Sequence, residues 1–444
     1  MKILATVFAI CGGLWTASGQ TNSTTDAATN AVVISTENIN SLVAEARTNN
    51  PSLKAADSRA RSATLNAESV RTWDDPMAMV GGSTFSSRGF DPAQEGDLAY
   101  GVEQKLPLWG RPTLTRRAAQ AEVSMRQADV NYHAQQLRRD ITKELLATAL
   151  AERVVDIGEQ DLAWLGATVK AVEVKYRDGQ ASLADTLQIE NEMAERNDRL
   201  RTDRHLLVHE YFSLNRLLNR APESPWPPLQ LPPVSPAIPF SAKLLSLALA
   251  NEPKLKVMEQ EIKQAEAAAE LTRRTRLPDV SFDVEGRQYS GDGGFREGDF
   301  TLRFSLPWFN GDKYRKDYDR DKEKQKSAEH EREDQVWMVR EELHHLSVEI
   351  EASRREALLY SGEITTRARQ ALSSRLSDWE TGHGMLRDVL DARRMLLDSE
   401  LMSARAVAEE NEMLGELLLW SGLENVEALA PLASEPSLLP NHDH

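Results

Sequence analysis

The sequence predicts a mainly α-helical, internally duplicated chain with four strands and long coiled-coil helices, the strands contributing a small β-barrel portion. Three observations lead there. The same plan is written twice: Asn50-Pro51-Ser52-Leu53 opens one half and Asn251-Glu252-Pro253-Lys254-Leu255 the other, Pro76 answers to Pro278, Gly96-Asp97 to Gly298-Asp299, and Leu106-Pro107 to Leu306-Pro307. A spacing of 202 residues between Gly96 and Gly298 is too long for a solenoid unit, so the repeat is a duplicated half-molecule. Each half holds two short runs of alternating apolar and polar residues around a turn-rich loop. Those runs lie between very long proline-free stretches with helical periodicity.

The elements follow in order. Residues 1–19 read as a secretory signal, with Lys2, the apolar run from Ile3 to Leu14, and the small residues Ala17-Ser18-Gly19. The only cysteine, Cys11, falls inside it; Ile10 stands where a lipoprotein signal wants a small residue. Residues 20–34 are rich in Ser, Thr, Asn and Ala and are expected to be disordered. The first repeat, 35–220, holds a helix from Glu37 to Thr72 interrupted at Asn50-Pro51, and a strand hairpin over about 76–107. A long helix from Pro112 to Tyr176 follows, with an apolar stripe at Leu137, Ile141, Leu145 and Ala149, and then a shorter helix from Ser182 to Asn219. Residues 221–240 carry eight prolines and form an extended connector. The second repeat, 241–426, has its hairpin at about 278–307, a long helix from Lys313 to Trp379 and a shorter one from Leu386 to Trp420. Residues 427–444 are expected to be a disordered tail.

The strand faces carry the environment. Leu98, Tyr100, Val102, Gln104 and Leu106 share one face, and Ala99, Gly101, Glu103 and Lys105 the other. Val280, Phe282 and Val284 alternate with Ser281, Asp283, Glu285 and Arg287, and the return strand sets Phe300, Leu302, Phe304 and Leu306 against Thr301, Arg303 and Ser305. Met77 and Met79 share a face and read as lipid- or core-facing filler. In a soluble sheet the apolar face needs a core, yet the flanking helices are highly charged. Lipid outside and water inside fits the pattern, and strands of about ten residues are long enough to cross a bilayer when tilted. Four strands cannot close a membrane barrel, and an open edge in lipid leaves backbone groups unpaired, so the chain is expected to oligomerise. Three copies are favoured over two because a wider tube suits a solute conduit.

Bulk properties exclude other classes. A net charge of −16 argues against nucleic acid as a partner. After the signal no run of eighteen apolar residues appears, so no transmembrane helix is expected. The mixed-charge run 312–334 reads as a solvated helix face held by i,i+4 pairs. His344-His345 and His442-Asp443-His444 do not make a convergent ligand set, so no metal site is expected. No nucleophile motif or phosphate loop is present, so neither a catalytic site nor a cofactor is expected.

The chain resembles the TolC family of outer-membrane efflux factors. The resemblance rests on the repeated halves, the paired strands, and the turns Leu106-Pro107-Leu108-Trp109-Gly110-Arg111 and Leu306-Pro307-Trp308-Phe309-Asn310. It rests also on Tyr176-Arg177-Asp178-Gly179 and Trp379-Glu380-Thr381-Gly382, each with an acid six residues after the glycine, Asp185 and Asp388. It covers nearly everything after the signal, and the turns look closest to the heavy-metal-cation branch. The resemblance implies a homotrimer with a twelve-stranded barrel in the outer-membrane lipid of a Gram-negative-type bacterium and a long helical tunnel in the periplasm. It implies the passive exit duct of a tripartite efflux or type I secretion system, docked by a periplasmic adaptor protein onto an inner-membrane transporter of the resistance-nodulation-division type. It further implies a channel constriction at Asp388 and Asp391, an aperture network of Asp185, Trp379 and Tyr176, and adaptor-docking turns at Gly179 and Gly382. Two departures stand out: Trp379 replaces a tyrosine, and Gly384 stands where the family has a basic partner, so that salt bridge is missing. The other class the sequence allows is a periplasmic coiled-coil adaptor or structural protein, whose strands would wrap a compact core.

Overall fold

The computed structural model describes residues 32–83, 85–86, 89–90, 97–289, 294–436 and 438. The expected signal segment with Cys11, most of the expected disordered N-terminus, most of both hairpin loops and the terminal histidines lie outside them. In chain order the elements are β1 (Val32–Val33), α1 (Thr36–Asn49), α2 (Pro51–Ser69), β2 (Met77–Ser83), β3 (Phe85–Ser86), β4 (Gly89–Phe90), β5 (Asp97–Lys105), α3 (Arg111–Arg177) and α4 (Leu183–Leu218). After β6 (Leu229–Gln230) the plan repeats as α5 (Ala242–Asn251), α6 (Pro253–Arg274), β7 (Val280–Tyr289), β8 (Phe295–Phe304), α7 (Gly311–Leu359), α8 (Thr365–Glu380) and α9 (Leu386–Ser421).

The helical starts show why each half repeats. Pro51 and Pro253 open α2 and α6 at positions where a missing N–H costs nothing. The Asn50 side chain accepts from the Ser52 and Leu53 amides and donates to the Leu217 carbonyl at 2.8 Å; Glu252 caps α6 in the same way through Leu255. At 1.5 Å per residue α3 is about 100 Å long, far beyond a globular helix. Its stripe of Leu137, Ile141, Leu145 and Ala149 is buried against Leu214, Leu217 and Leu218 of α4 and Val43 and Leu53 of the opening helices. Leu343, Leu346 and Ile350 of α7 repeat this against Leu414 and Leu417 of α9 and Leu244 and Leu255. No helix among the described residues is long and apolar enough to cross a membrane.

The structure departs from the sequence reading in four places. The second long helix is broken by a π turn at Tyr360–Ile364. Leu306 lies 200 residues after Leu106 but Trp379 lies 203 after Tyr176, so this half carries surplus residues between matched ends, and a π turn is how a helix absorbs a surplus residue. The segment before residue 35 is ordered at its end: β1 pairs in parallel with β6 of the connector, and Ile34 is buried. The tail expected to be disordered from 427 instead forms a 3-10 turn over Val426–Leu432, because Leu429 and Leu432 bury into the core beside Leu244. Finally, the Met77 and Met79 side of β2 is the charged face, as the strand register shows.

One antiparallel sheet of four strands runs in the order β2-β5-β7-β8. Met77 pairs with Glu103 and Met79 with Gly101. Glu103 pairs with Asp283, and Ser281 with Arg303. On this face Arg303 donates to Glu103 at 3.0 Å and to Asp283 at 3.2 Å, and the Ser281 hydroxyl donates to Glu103 at 2.6 Å. Asp283 is 2 % exposed, whereas Phe300 on the opposite face is 71 % exposed, in company with Val80, Val102, Val284, Leu302 and Phe304. The sheet thus buries Asp283 within its polar face, under the still exposed Arg303, and bares its apolar side chains on the other. At the helix end of the strands Trp73, Trp109, Trp308 and Phe309 are all exposed, and the Trp109 indole N–H donates to the Pro278 carbonyl at 2.7 Å.

The connector is pinned by two glutamates, one half-buried and one fully buried. Glu152 of α3 accepts from the Leu229 amide at 2.7 Å and from the Tyr211 hydroxyl at 2.6 Å. Glu410 of α9 is fully buried and accepts from the Ser235 amide at 2.8 Å through one oxygen, while the other has no hydrogen-bond partner. Burial pushes its carboxyl up to about 7, against the pull of the Ser235 amide and Arg354. An acid held above its ordinary 4.5 favours the fold while neutral, so this contribution is lost as pH rises from about 4.5 to about 7. Thermal unfolding against pH should therefore show stability falling across that window. Glu410→Gln should flatten the fall and be more stable above pH 7, by roughly 1–3 kcal/mol. An unchanged profile would contradict the assignment.

Candidate functional site

The two helix hairpins end in turns built alike. In the first, the Gly179 amide donates to the Tyr176 carbonyl at 3.0 Å and the Gln180 amide to Lys175 at 2.7 Å. In the second, Gly382 donates to Trp379 at 3.2 Å and His383 to Asp378 at 2.8 Å. Both glycines are left-handed, with φ of 73° and 81°, which an L side chain would strain. A Cβ at either would meet nothing within 4 Å, so glycine is there for the backbone and leaves each turn bare to solvent.

The next helices start differently. Ser182 caps α4 and Asp185 completes a capping box: the Asp185 carboxylate accepts from the Ser182 amide at 2.9 Å and its hydroxyl at 2.7 Å, while the Asp185 amide donates back at 3.1 Å. In the second half Met385 stands at the cap and offers no side-chain acceptor. Asp388, the counterpart of Asp185, is thereby released from capping. It is exposed and makes no side-chain hydrogen bond or ion pair among the described residues, and it sits in the first turn, where the helix dipole favours negative charge. Asp391 is also exposed but engaged, with Arg394 at 3.2 Å and Arg387 at 3.8 Å.

Trp379 is buried in the tip core with Leu165, Val172, Ile189, Leu372 and Leu386. Tyr176 is half exposed, and its hydroxyl has no hydrogen bond among the described residues. Among the described residues no hydrogen bond, ion pair or ring contact joins Asp185, Tyr176 and Trp379. The residue that joins the two tips is Lys175: its ammonium donates to the Trp379 carbonyl at 2.6 Å and the Glu380 carbonyl at 3.3 Å, and lies 4.2 Å from the Trp379 ring centroid. Further from the tip, Asp161 of α3 accepts from Arg393 of α9 at 2.7 Å, and Arg393 also stacks over Trp164 at 5.1 Å. Glu192 of α4 bonds Arg196 at 3.0 Å and Arg394 of α9. The Arg394 guanidinium holds the Glu192 carboxyl below the usual range despite burial. Two ion pairs thus lash α9 to the α3–α4 hairpin.

The profile of the outer membrane efflux protein family matches residues 42–220 and 244–410, well over half of the chain. The chain belongs to this family. Solved channels share the fold. VceC of Vibrio cholerae has a TM-score of 0.73 at 18 % identity, covering 87 % of this chain and 96 % of its own. The Campylobacter jejuni CmeC outer membrane channel has a TM-score of 0.75 at 14 % identity, covering 90 % of each chain. The open state of the Neisseria gonorrhoeae MtrE outer membrane channel has a TM-score of 0.70 at 19 % identity, covering 87 % and 89 %. No curated protein matches the chain in sequence.

Sequence reasoning did not find Lys175 or the Asp161, Glu192, Arg393 and Arg394 pairs. The only signal for Lys175 was its place one residue before Tyr176, opposite a turn lacking its own basic residue at Gly384. Among the described residues no group of three or more His, Cys, Asp or Glu converges; His344 packs edge-on against Phe240 at 5.5 Å. Lys175→Met keeps the aliphatic stem and removes the donors, at a cost of about 1–2 kcal/mol. Hydrogen exchange of peptides covering residues 175–182 and 379–385 should quicken together. Faster exchange in the first peptide alone would show that Lys175 does not tie the turns.

Proposed function

We propose that the chain is the outer-membrane exit duct of a tripartite efflux or type I secretion system, a passive homotrimer with no catalytic centre. The observation that carries this reading is the sheet: ion-paired charges gathered on one face, apolar side chains bare on the other, and, among the described residues, two unpaired edges at β2 and β8. That polarity suits lipid outside and water inside. Edges in lipid must be paired, and only sister copies supply matching strands. Two copies would make eight strands, whose interior side chains fill; three make twelve and leave a lumen. The exposed Trp73, Trp109, Trp308 and Phe309 suit the interface where lipid headgroups meet water. A soluble adaptor would need its strands to wrap a core, and these strands have none of their own.

The helices then continue the barrel as a periplasmic tube whose inner mouth lies at the hairpin tips. Gly179 and Gly382 present bare turns to a periplasmic adaptor protein, which would couple the duct to an inner-membrane transporter of the resistance-nodulation-division type. Tyr176, Trp379 and Asp185 frame that mouth, with Lys175 as the tie between tips. Asp388 and Asp391 form the constriction, where threefold symmetry would gather six carboxylates and favour cations. Planar-bilayer recording tests this. The wild-type channel should be cation-selective and blocked by multivalent cations. Asp388→Asn should reduce both more than Asp391→Asn does, because Asp391 is already paired with arginine. Unchanged selectivity and block in the double variant would contradict the constriction.

A further inference from the structure

We infer that a cavity at the helix end of the sheet holds one membrane phospholipid whose headgroup carries both a phosphate and an amine, the phosphatidylethanolamine class. The inference rests on the conduit reading above, which puts the sheet in lipid, and adds a lipid ligand to it. The cavity measures about 460 Å³ and lies among the links that join α2 to β2, β5 to α3 and α6 to β7. That volume falls within the range of small-molecule sites, about 300–1,000 Å³. All three links belong to one chain, and the strands they serve are neighbours, so the cavity sits inboard of the β2 edge. Leu106 and Val280 line it where the bare apolar face of the sheet ends. Trp73 and Trp109 line it too, and Trp109 is held there at a cost: it and Gly110 are successive left-handed residues, with φ of 63° and 69°. A bulky side chain adopts that conformation only where its surroundings over-determine it.

The duplication supplies a control. Pro76 answers to Pro278, so the link before β2 answers to the link before β7. The second link is laced shut by Arg111, which donates to the Arg274, Thr275 and Leu277 carbonyls and to Asp279. The first has only two side-chain ties among the described residues, Arg116 to the Val70 carbonyl at 3.2 Å and Gln104 to the Asp74 carbonyl at 2.7 Å. The charges around the opening are balanced and unspent. Arg71, Lys105, Asp74 and Asp75 line it, and among the described residues none of their four side chains makes a hydrogen bond or ion pair. The remaining charged lining, Arg111 and Asp279, is paired with itself. Guanidinium and ammonium groups suit a phosphate. Two carboxylates suit the amine and repel a headgroup that is only anionic. Indoles sit at headgroup depth, and acyl chains would run on over the apolar face.

The test is native mass spectrometry of the full-length protein in detergent, offered equal amounts of phosphatidylethanolamine and phosphatidylglycerol with matched acyl chains. The wild type should retain one phosphatidylethanolamine per chain, preferred about tenfold over phosphatidylglycerol. Arg71→Gln should lower that retention about tenfold, the loss of one charge-assisted bond. Asp74→Asn/Asp75→Asn should abolish the preference, because it removes both the partner of the amine and the repulsion of the anion. Equal retention of the two lipids by the wild type, undiminished retention by Arg71→Gln, or an unchanged preference in the double variant would each overturn the inference. Displacement of the lipid by millimolar inorganic phosphate would overturn it too, by marking a site for the free ion. The substituted side chains are exposed, so potassium conductance of both variants in planar bilayers should match wild type. Wild-type conductance without a headgroup preference overturns this inference alone; a chain that needs no detergent and conducts nothing overturns the conduit reading.

Discussion

The rest of the structure depends on a sheet turned inside out. Ordinary sheets cover their apolar face and wet their polar one. Here Asp283, Ser281 and Glu103 are gathered under Arg303, while Phe300, Leu302, Phe304 and Val284 stand bare. Such a surface is stable only against lipid or another apolar layer, and among the described residues no helix covers it. The two free edges compound the demand, since a strand edge in lipid has no water to satisfy it. Duplication answers half of it: β5 of the first repeat pairs with β7 of the second, so one chain supplies four contiguous strands. In the proposed assembly, symmetry answers the other half.

Duplication also made two tips that share a backbone and divide the chemistry. The turns at Gly179 and Gly382 have the same hydrogen-bond pattern. In one repeat the acid after the turn is spent on capping, as Asp185 with Ser182. In the other, Met385 has replaced the capping serine, and Asp388 is left free at a helix N-terminus. A single difference at the cap position thus separates a structural carboxylate from one left exposed and unpaired among the described residues. Lys175 and the Arg393 and Arg394 pairs tie the tips into one body within a chain, so in the proposed assembly relative movement at the mouth would fall to the boundaries between chains.

Much of this was legible in the residues, and what was not has physical reasons. Strand faces and long helices were readable because period-2 and helical patterns are local, and Leu137, Ile141, Leu145 and Ala149 fall in the core where their spacing puts them. The repeat aligned the tips and singled out Gly179, Gly382 and the acids that follow. Partners remote in sequence left no local mark: Lys175 to Trp379, Asp161 to Arg393 and Glu192 to Arg394 join residues 204, 232 and 202 apart. The face of Met77 was ambiguous because register, not composition, decides it, and β2 alone has small residues on both sides. The tail looked disordered by composition, yet Leu429 and Leu432 suffice to dock it.

The central claim is that β2 of one copy completes the edge left by β8 of another. The chain's only cysteine is Cys11. With Cys11 replaced by serine, a cysteine placed at Ala78 or Val80 can be paired with one at Leu302 or Phe304, all on the apolar face. Mild oxidation of such double variants in outer membranes should yield a covalent trimer on a denaturing gel for at least one pairing, and no ladder beyond three. Chains that stay monomeric in every pairing, or that cross-link only within themselves, would contradict the account.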